Sequence, residues 1–280
     1  MLQLIHGVGE LKAFVLAAKA KGKLALVPTM GNLHEGHLSL VEEARRHADT
    51  VIVSVFVNPT QFGAGEDFET YPRTLTADCD KLAGLADAVF APDTQTMYPV
   101  YPPEVTVRAG SAASGLCGAS RPGHFDGVCT VVAKLFNLCE PHVACFGEKD
   151  FQQLSVIRQM ARDLSMPVSV IGVPTMRAAD GLALSSRNGF LSDAERALAV
   201  RLSQVILSIG AKLTQGEVNF GELETKGCKS LTDEGFVVDY VRILNEELEP
   251  PTLASHRLVV LVAAKLGSTR LIDNMTFSRP

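Results

Sequence analysis

Lys23–Leu40, KLALVPTMGNLHEGHLSL, is the stretch whose reading decides the fold. Leu24–Val27 is a short apolar run, and Pro28 closes it because proline has no N–H to give to a strand ladder. A turn holding Gly31 and Gly36 follows, and from His37 onward Leu40, Val41, Ala44 and Ala48 recur at helical spacing. The stretch reads strand, glycine-bearing turn, helix, with His34 and His37 where the helix begins. A helix N-terminus presents unpaired N–H groups and a positive dipole end, which suit an anion such as phosphate. Two imidazoles there can donate to the same anion; the alternative is that they only cap the turn. Metal ligation fits poorly, since the pattern is not HExxH and no nearby Cys or third His completes a zinc set.

The same alternation extends to both sides. Glu10–Ala20 carries Leu11, Phe14, Val15 and Ala18 on one helical face. Thr50–Val57, TVIVSVFV, has the composition of a strand buried on both faces of a parallel sheet. Leu75, Cys79, Leu82 and Ala86 predict a helix, and Ala88–Ala91 a short strand. Pro92–Gly123 reads as irregular, with one strand at Val105–Arg108. Helices through Val128–Cys139 and Leu154–Leu164 then alternate with strands at His142–Phe146 and Val168–Val173. Strands alternating with helices predict an α/β fold, a Rossmann-like doubly wound parallel sheet. From about Asn188 the pattern changes. Ser192 and Glu195 have capping-box spacing and open a helix through Leu198, Leu202, Val205 and Ile209. A helix around Phe220–Leu231 and strands at Val237–Leu244, His256–Val262 and Thr269–Ile272 complete a smaller α+β domain. The expected division is 1–176 for a nucleotide- and substrate-binding domain and 177–280 for a C-terminal α+β lid.

In doubly wound sheets ligands bind beyond the carboxyl ends of the strands. Four polar segments, three of them glycine-bearing, fall there: Thr29–His37, Asn58–Gln61, Gly147–Asp150 and Pro174–Asn188. Their coincidence points to one site. Lys149, between Glu148 and Asp150, reads either as a solvated charge run or as a cation within reach of a phosphate. Gln61 can bond its own turn or offer amide donors and an acceptor to a small polar substrate. Gln153 falls on the first turn of the next helix, and Ser185, Ser186 and Arg187 combine two hydroxyls with a guanidinium fork. Arg121 and His124, in RPGHFDG, either bind an anion or brace a loop. No GxxxxGK[ST] or GxSxG pattern occurs, and Gly7-Val8-Gly9 is expected to precede any strand, so it reads as no dinucleotide fingerprint.

The 280 residues can bury a full core; 46% are hydrophobic and 20% charged. A formal net charge of -5 argues against a general nucleic-acid footprint. The six cysteines form no CxxC pair and predict buried free thiols in a reducing compartment. No signal peptide and no apolar run near the ~20 residues of a membrane span is evident. The expectation is a cytoplasmic protein with neither nucleic-acid nor membrane partners.

Several long motifs occur here in one order: PTMGNLHEGHLSLV, FVNPTQFGAGEDFETYPRT, RPGHFDGV, CFGEKDFQQL, MRAADGLALSSRNGFL and the closing LVAAKLGSTRLIDN. Together they resemble the pantothenate synthetase (pantoate–β-alanine ligase) family over nearly the whole chain. The HxGH segment alone would indicate only the wider nucleotidyltransferase superfamily. The resemblance implies ATP-dependent joining of (R)-pantoate and β-alanine into pantothenate, with AMP and pyrophosphate released through a pantoyl adenylate. It implies that Met30, Gly31, Asn32, Leu33, His34, Glu35, Gly36 and His37 line the ATP site. His34 and His37 would meet the phosphates, with His37 the catalytic donor. It further implies that Gly147, Glu148, Lys149 and Asp150 take ribose and phosphate, Lys149 neutralising charge, while Met176, Leu184, Ser185, Ser186 and Arg187 complete the nucleotide pocket. Gln61 and Gln153 would hold pantoate, and Gln61 also β-alanine. Mg2+ would accompany the triphosphate, with Asp78 a candidate for its site, and the protein would be a homodimer. Two rivals are an adenylyltransferase that leaves a dinucleotide-like product and a non-enzymatic ATP sensor. The set Gln61, Gln153 and Lys149, read through the resemblance, argues against both.

Overall fold

Short apolar runs become strands when helices are available to cover both faces of the sheet they build. The computed structural model describes residues 1–280, which gather into two units. The first comprises Met1–Glu148 and Gln153–Pro174, the second Lys149–Gln152 and Thr175–Pro280.

In the first unit the order is β1 (Gln3–Ile5), α1 (Val8–Lys19), β2 (Leu24–Thr29), α2 (Glu35–His47) and β3 (Thr50–Val55). It continues with α3 (Leu75–Leu82), β4 (Ala88–Phe90), α4 (Thr94–Met97), α5 (Leu116–Ser120) and α6 (His124–Cys139). It ends with β5 (Val143–Gly147), α7 (Phe151–Asp163) and β6 (Ser169–Val173). The six strands pair in parallel in the order β1-β4-β3-β2-β5-β6. The chain builds outward from β2 to β4, then returns to the other side of β2 for β5. The β2/β5 boundary is therefore the topological switch point, where such sheets bind ligands. Val27, Val51, Val53, Val143 and Cys145 form one side of a core that includes Leu33, Leu40, Val41 and Leu82.

Three differences from the sequence reading have physical causes. The strand expected to stop before Pro28 continues through it to Thr29. Alternation along β2 turns the Pro28 nitrogen to the same side as Leu24, whose N–H is taken by His142 beside β5. Pairing with β5 involves only Ala25 and Leu26, so no ladder bond is lost at Pro28. The strand expected at Val105–Arg108 does not form. The backbone N–H groups of Val107 and Ala109 go to the side chains of Thr130 (3.0 Å) and Asp126 (2.8 Å) on α6, and Val105 is exposed. Finally, β1 is a strand of three residues, too short to show a period, held by its pairing with β4.

The second unit contains α8 (Asp193–Ala199), α9 (Arg201–Thr214), α10 (Phe220–Asp233), β7 (Val237–Asn245), β8 (Arg257–Leu266) and β9 (Thr269–Ser278). The three strands form an antiparallel sheet in the order β7-β8-β9. The Ser192–Glu195 capping box forms as its spacing predicts, with Ser192 N–H donating to Glu195 Oε2 at 2.9 Å. The single helix expected after it is instead α8 and α9, which meet at Val200. Asp193–Thr214 is long and apolar enough in composition to cross a bilayer, which the sequence reading did not anticipate. Its apolar side chains Leu202, Val205, Ile206, Ile209 and Leu213 are part of this unit's buried core, as in an ordinary core helix.

Candidate active site

The turn after β2 is shaped from below by α3. Gly31 has φ +82°, and a Cβ there would stand 3.0 Å from both Asp78 Oδ2 and Val55 Cγ1, so glycine is required twice over. Asp78 is fully buried, and its carboxylate accepts from Asn32 N–H (3.0 Å), Leu33 N–H (2.8 Å) and Thr74 Oγ1 (3.1 Å). Lys81, one helical turn on, donates to the Leu33 carbonyl at 2.6 Å. A buried carboxylate satisfied by three donors is a brace. Both Asp78 oxygens serve the turn as acceptors, and no group of three His, Cys, Asp or Glu side chains is gathered.

His34 is the N-cap of α2, and its Nδ1 accepts from Gly36 N–H at 3.1 Å. His37 Nδ1 accepts from His34 N–H at 3.3 Å, and the two ring centroids are 4.1 Å apart. Both imidazoles cap the helix. A backbone N–H can only donate, so each Nδ1 is unprotonated and each neutral ring carries its proton on Nε2. Accepting at Nδ1 also polarises the ring and strengthens Nε2–H as a donor. The sequence reading offered an anion the bare N–H groups of the first turn. Here Gly36 N–H is consumed by His34, and both rings carry their donor on Nε2.

After β3 the turn Pro59–Gln61 is capped by Asn58, whose Oδ1 accepts from Thr60 N–H (3.3 Å) and from the Tyr98 hydroxyl (2.9 Å). Those donors force Asn58 Nδ2 toward Gln61 Oε1 (3.0 Å) and Gly127 O (3.2 Å). Gln61 Oε1 is thereby committed as an acceptor, and its Nε2 faces Met30 sulfur at 3.4 Å. Beyond these contacts the Gln61 amide keeps one N–H and one oxygen lone pair. Its backbone carbonyl accepts from His124 Nδ1 at 2.8 Å, while His124 Nε2 lies 3.0 Å from Arg121 Nη1. Because guanidinium only donates, His124 is neutral with its proton on Nδ1. Arg121 also forks onto Glu66 (2.7 and 2.5 Å), and that pairing holds the Glu66 carboxyl down at about 2. Of the two roles considered for Arg121 and His124, both residues perform the bracing one. Gly127 permits the arrangement: a Cβ there would lie 2.3 Å from Thr60 O.

The first unit thus brings Met30, the Gly31–His37 turn and Gln61 to the carboxyl edge of its sheet, with Gly147 and Glu148 following β5 and Gln153 on α7. In the second unit, Leu184 N–H donates to Met176 O at 2.9 Å, and Ser185 Oγ accepts from Arg187 N–H at 3.3 Å to open the turn Ser186–Phe190. Lys149 and Asp150 close the 3-10 turn that leads into α7 and belong to this unit. The sequence reading gave no role to Tyr98, Lys81 or Gly127, whose importance lies in contacts 40 to 69 residues away along the chain. It named Asn58 only as part of a polar cluster; Asn followed by Pro-Thr is the local turn signal that marks it as a cap. All six cysteines are free, and burial pushes Cys129, Cys139 and Cys145 up to about 12, so they are inert fillers of the core.

A family model described as pantoate-beta-alanine ligase matches residues 3–276. A pantothenate synthetase from Psychrobacter arcticus is 52% identical over 274 residues, covering 96% of this chain and 95% of its own. A crystal structure of pantothenate synthetase from Thermus thermophilus superposes with TM-score 0.91 at 44% identity, covering 98% of both chains. One of pantoate-beta-alanine ligase from Francisella tularensis, complexed with beta-gamma ATP and beta-alanine, superposes with TM-score 0.81 at 34% identity over 98% of this chain and 97% of that one.

Proposed function

The chain belongs to the pantoate–β-alanine ligase family, and from that premise we propose how its own residues serve the reaction. The enzyme is a ligase that condenses (R)-pantoate with β-alanine at the expense of ATP, through a pantoyl adenylate, in pantothenate biosynthesis. A carboxylate is a poor acyl donor. Its oxygen therefore first attacks the α-phosphorus of ATP, and the bond to the β-phosphate breaks with pyrophosphate leaving. The β-alanine nitrogen then attacks the acyl carbon, the bond to AMP breaks, and the amine gives up a proton. Catalysis of such transfers is mostly positioning and electrostatic stabilisation.

In this reading Met30–His37 line the ATP site, and the Nε2–H groups of His34 and His37 donate to the phosphate oxygens as charge shifts toward pyrophosphate. Lys149 neutralises that charge. Gly147–Asp150, Met176 and Leu184–Arg187 hold the rest of the nucleotide. Gln61 directs N–H at pantoate and later at β-alanine, and Gln153 is the second pantoate ligand. The observation that carries the assignment is the capped histidine pair, whose tautomers make both Nε2 atoms donors beside a helix N-terminus. The unit of Met1–Glu148 and Gln153–Pro174 serves as the nucleotide- and pantoate-binding domain, and the unit of Lys149–Gln152 and Thr175–Pro280 as the smaller α+β domain. Mg2+ enters as part of the ATP substrate and supplies charge neutralisation on the triphosphate; phosphates and water make up most of its coordination. A cytoplasmic homodimer completes the reading, supported by free thiols and by family membership, and sedimentation of the purified protein tests the dimer.

The decisive assay mixes protein, ATP, magnesium and (R)-pantoate and follows pyrophosphate and AMP with and without β-alanine. The expected result is sustained AMP release only with both acid and amine, matched by pantothenate, and stoichiometric pyrophosphate with the acid alone. ATP binding without pantoate-dependent pyrophosphate would overturn the substrate assignment.

A further inference from the structure

Strand β9 carries two buried polar residues that the adenylation chemistry leaves without a task. Asp273 is 3% exposed and Asn274 7% exposed. A carboxylate and an amide in such a place are costly unless every polar atom is engaged. Asp273 receives a bidentate Arg177 guanidinium, Nη1 to Oδ2 at 2.7 Å and Nη2 to Oδ1 at 2.8 Å, together with the N–H of Asn274 at 2.7 Å. Arg177 donates further to the carbonyls of Gly181 (3.0 Å) and Asn274 (3.1 Å). From the Asn274 side chain, Nδ2 donates to the backbone carbonyl of Lys149 at 2.8 Å.

The network ends on two segments. One is Lys149, whose strand β5 ends at Gly147 and whose carbonyl therefore lies beyond the ladder. The other is the turn from Met176 to Leu184, closed by the Leu184 N–H to Met176 O bond and filled by Arg177. Stability alone is a weak reason for such a cluster, because a buried ion pair is often replaced by apolar residues without loss. Direction is what it supplies. We propose that Asn274, oriented by Asp273 and Arg177, is a positioning residue for Lys149. It acts through the Lys149 backbone and sets where the ammonium group reaches. This rests on the role assigned above to Lys149.

The test is a double-mutant cycle on the full-length enzyme, read as pantoate-dependent pyrophosphate release, with thermal melting of each variant. Asn274→Ala removes the donor. Asn274→Asp keeps the shape and removes the same N–H, which guards against a packing defect in the alanine variant. Each is expected to lower kcat by about 10- to 100-fold, the scale of an ångström-level misplacement, with KM for pantoate unchanged. In a Lys149→Ala background, Asn274→Ala is expected to lower kcat no further. Wild-type kcat in both Asn274 variants overturns the proposal, as does an equal further loss on top of Lys149→Ala, which marks a merely structural residue. Wild-type turnover in Lys149→Ala alone overturns the assignment of Lys149 and the positioning role with it. That failure is distinguishable because it shows in a variant where Asn274 is intact.

Discussion

The histidine pair and Gln61 stand on the same sheet edge but are held in opposite ways. His34 and His37 are fixed by neighbours two and three residues away, through bonds that also cap α2. Gln61 is fixed by Asn58, Tyr98, His124 and Arg121, drawn from as far as 63 residues along the chain, with Gly127 clearing room for its turn. In the first arrangement the bonds that orient both rings come from the first turn of α2 itself, while Asp78 and Lys81 of α3 brace the segment before it. The second exists only because α6 packs on the turn after β3. Damage to the pair should therefore be chemical and local, whereas damage around Gln61 should spread through packing.

The largest effect should come from His37→Ala. Loss of one preorganised donor to a developing charge costs about 10²–10³ in rate, so pantoate-dependent pyrophosphate release should fall by that factor. Denaturant melts should show only the ~0.5–2 kcal/mol of a lost helix cap. A larger loss of stability would show that the His37 ring does more for the fold than cap α2. Next is Gly127→Ala. The new Cβ would meet backbone atoms, which cannot swing aside, so about 1–3 kcal/mol of stability should go, together with a higher KM for pantoate measured at saturating ATP. A normal KM would separate Gln61 from α6. Smaller still is Tyr98→Phe, which removes one of the donors that orient Asn58. The expected cost is roughly 1 kcal/mol of stability and a modest rise in pantoate KM, with kcat for pyrophosphate release retained.

Smallest is the acid limb. Glu66 titrates at about 2 in the fold against a usual 4.5, because Arg121 bonds its carboxylate. A depressed folded-state value contributes stability that is complete above the unfolded pKa and disappears as pH falls from about 4.5 toward 2. Glu66→Gln should flatten that part of the stability–pH curve, measured by denaturant melts between about pH 2 and 5, by lowering stability near neutrality, where the contribution is complete, and converging with the unmodified protein as pH falls toward 2. An unchanged acid slope would show that Arg121 holds His124 and Gln61 without help from Glu66.

Periodicity and local chemistry in the chain were enough for the alternation of strands and helices, the buried β3, the Ser192–Glu195 cap and the glycine-bearing turn with its two histidines. All of these depend on residues within a few positions of one another. Long motifs in register likewise carried the family. The tertiary structure decided what depends on pairing across distance. It allowed Pro28 inside β2, because the ladder with β5 has already ended there. It kept Val105–Arg108 out of the sheet by giving the N–H groups of Val107 and Ala109 to α6. It made Asp78 the buried brace of the turn after β2, and joined Asn274 to the Lys149 carbonyl across 125 residues. A side chain's type is written in the sequence. Which of its hydrogen-bonding atoms remain to meet a substrate is settled only when the rest of the chain has packed and claimed the others.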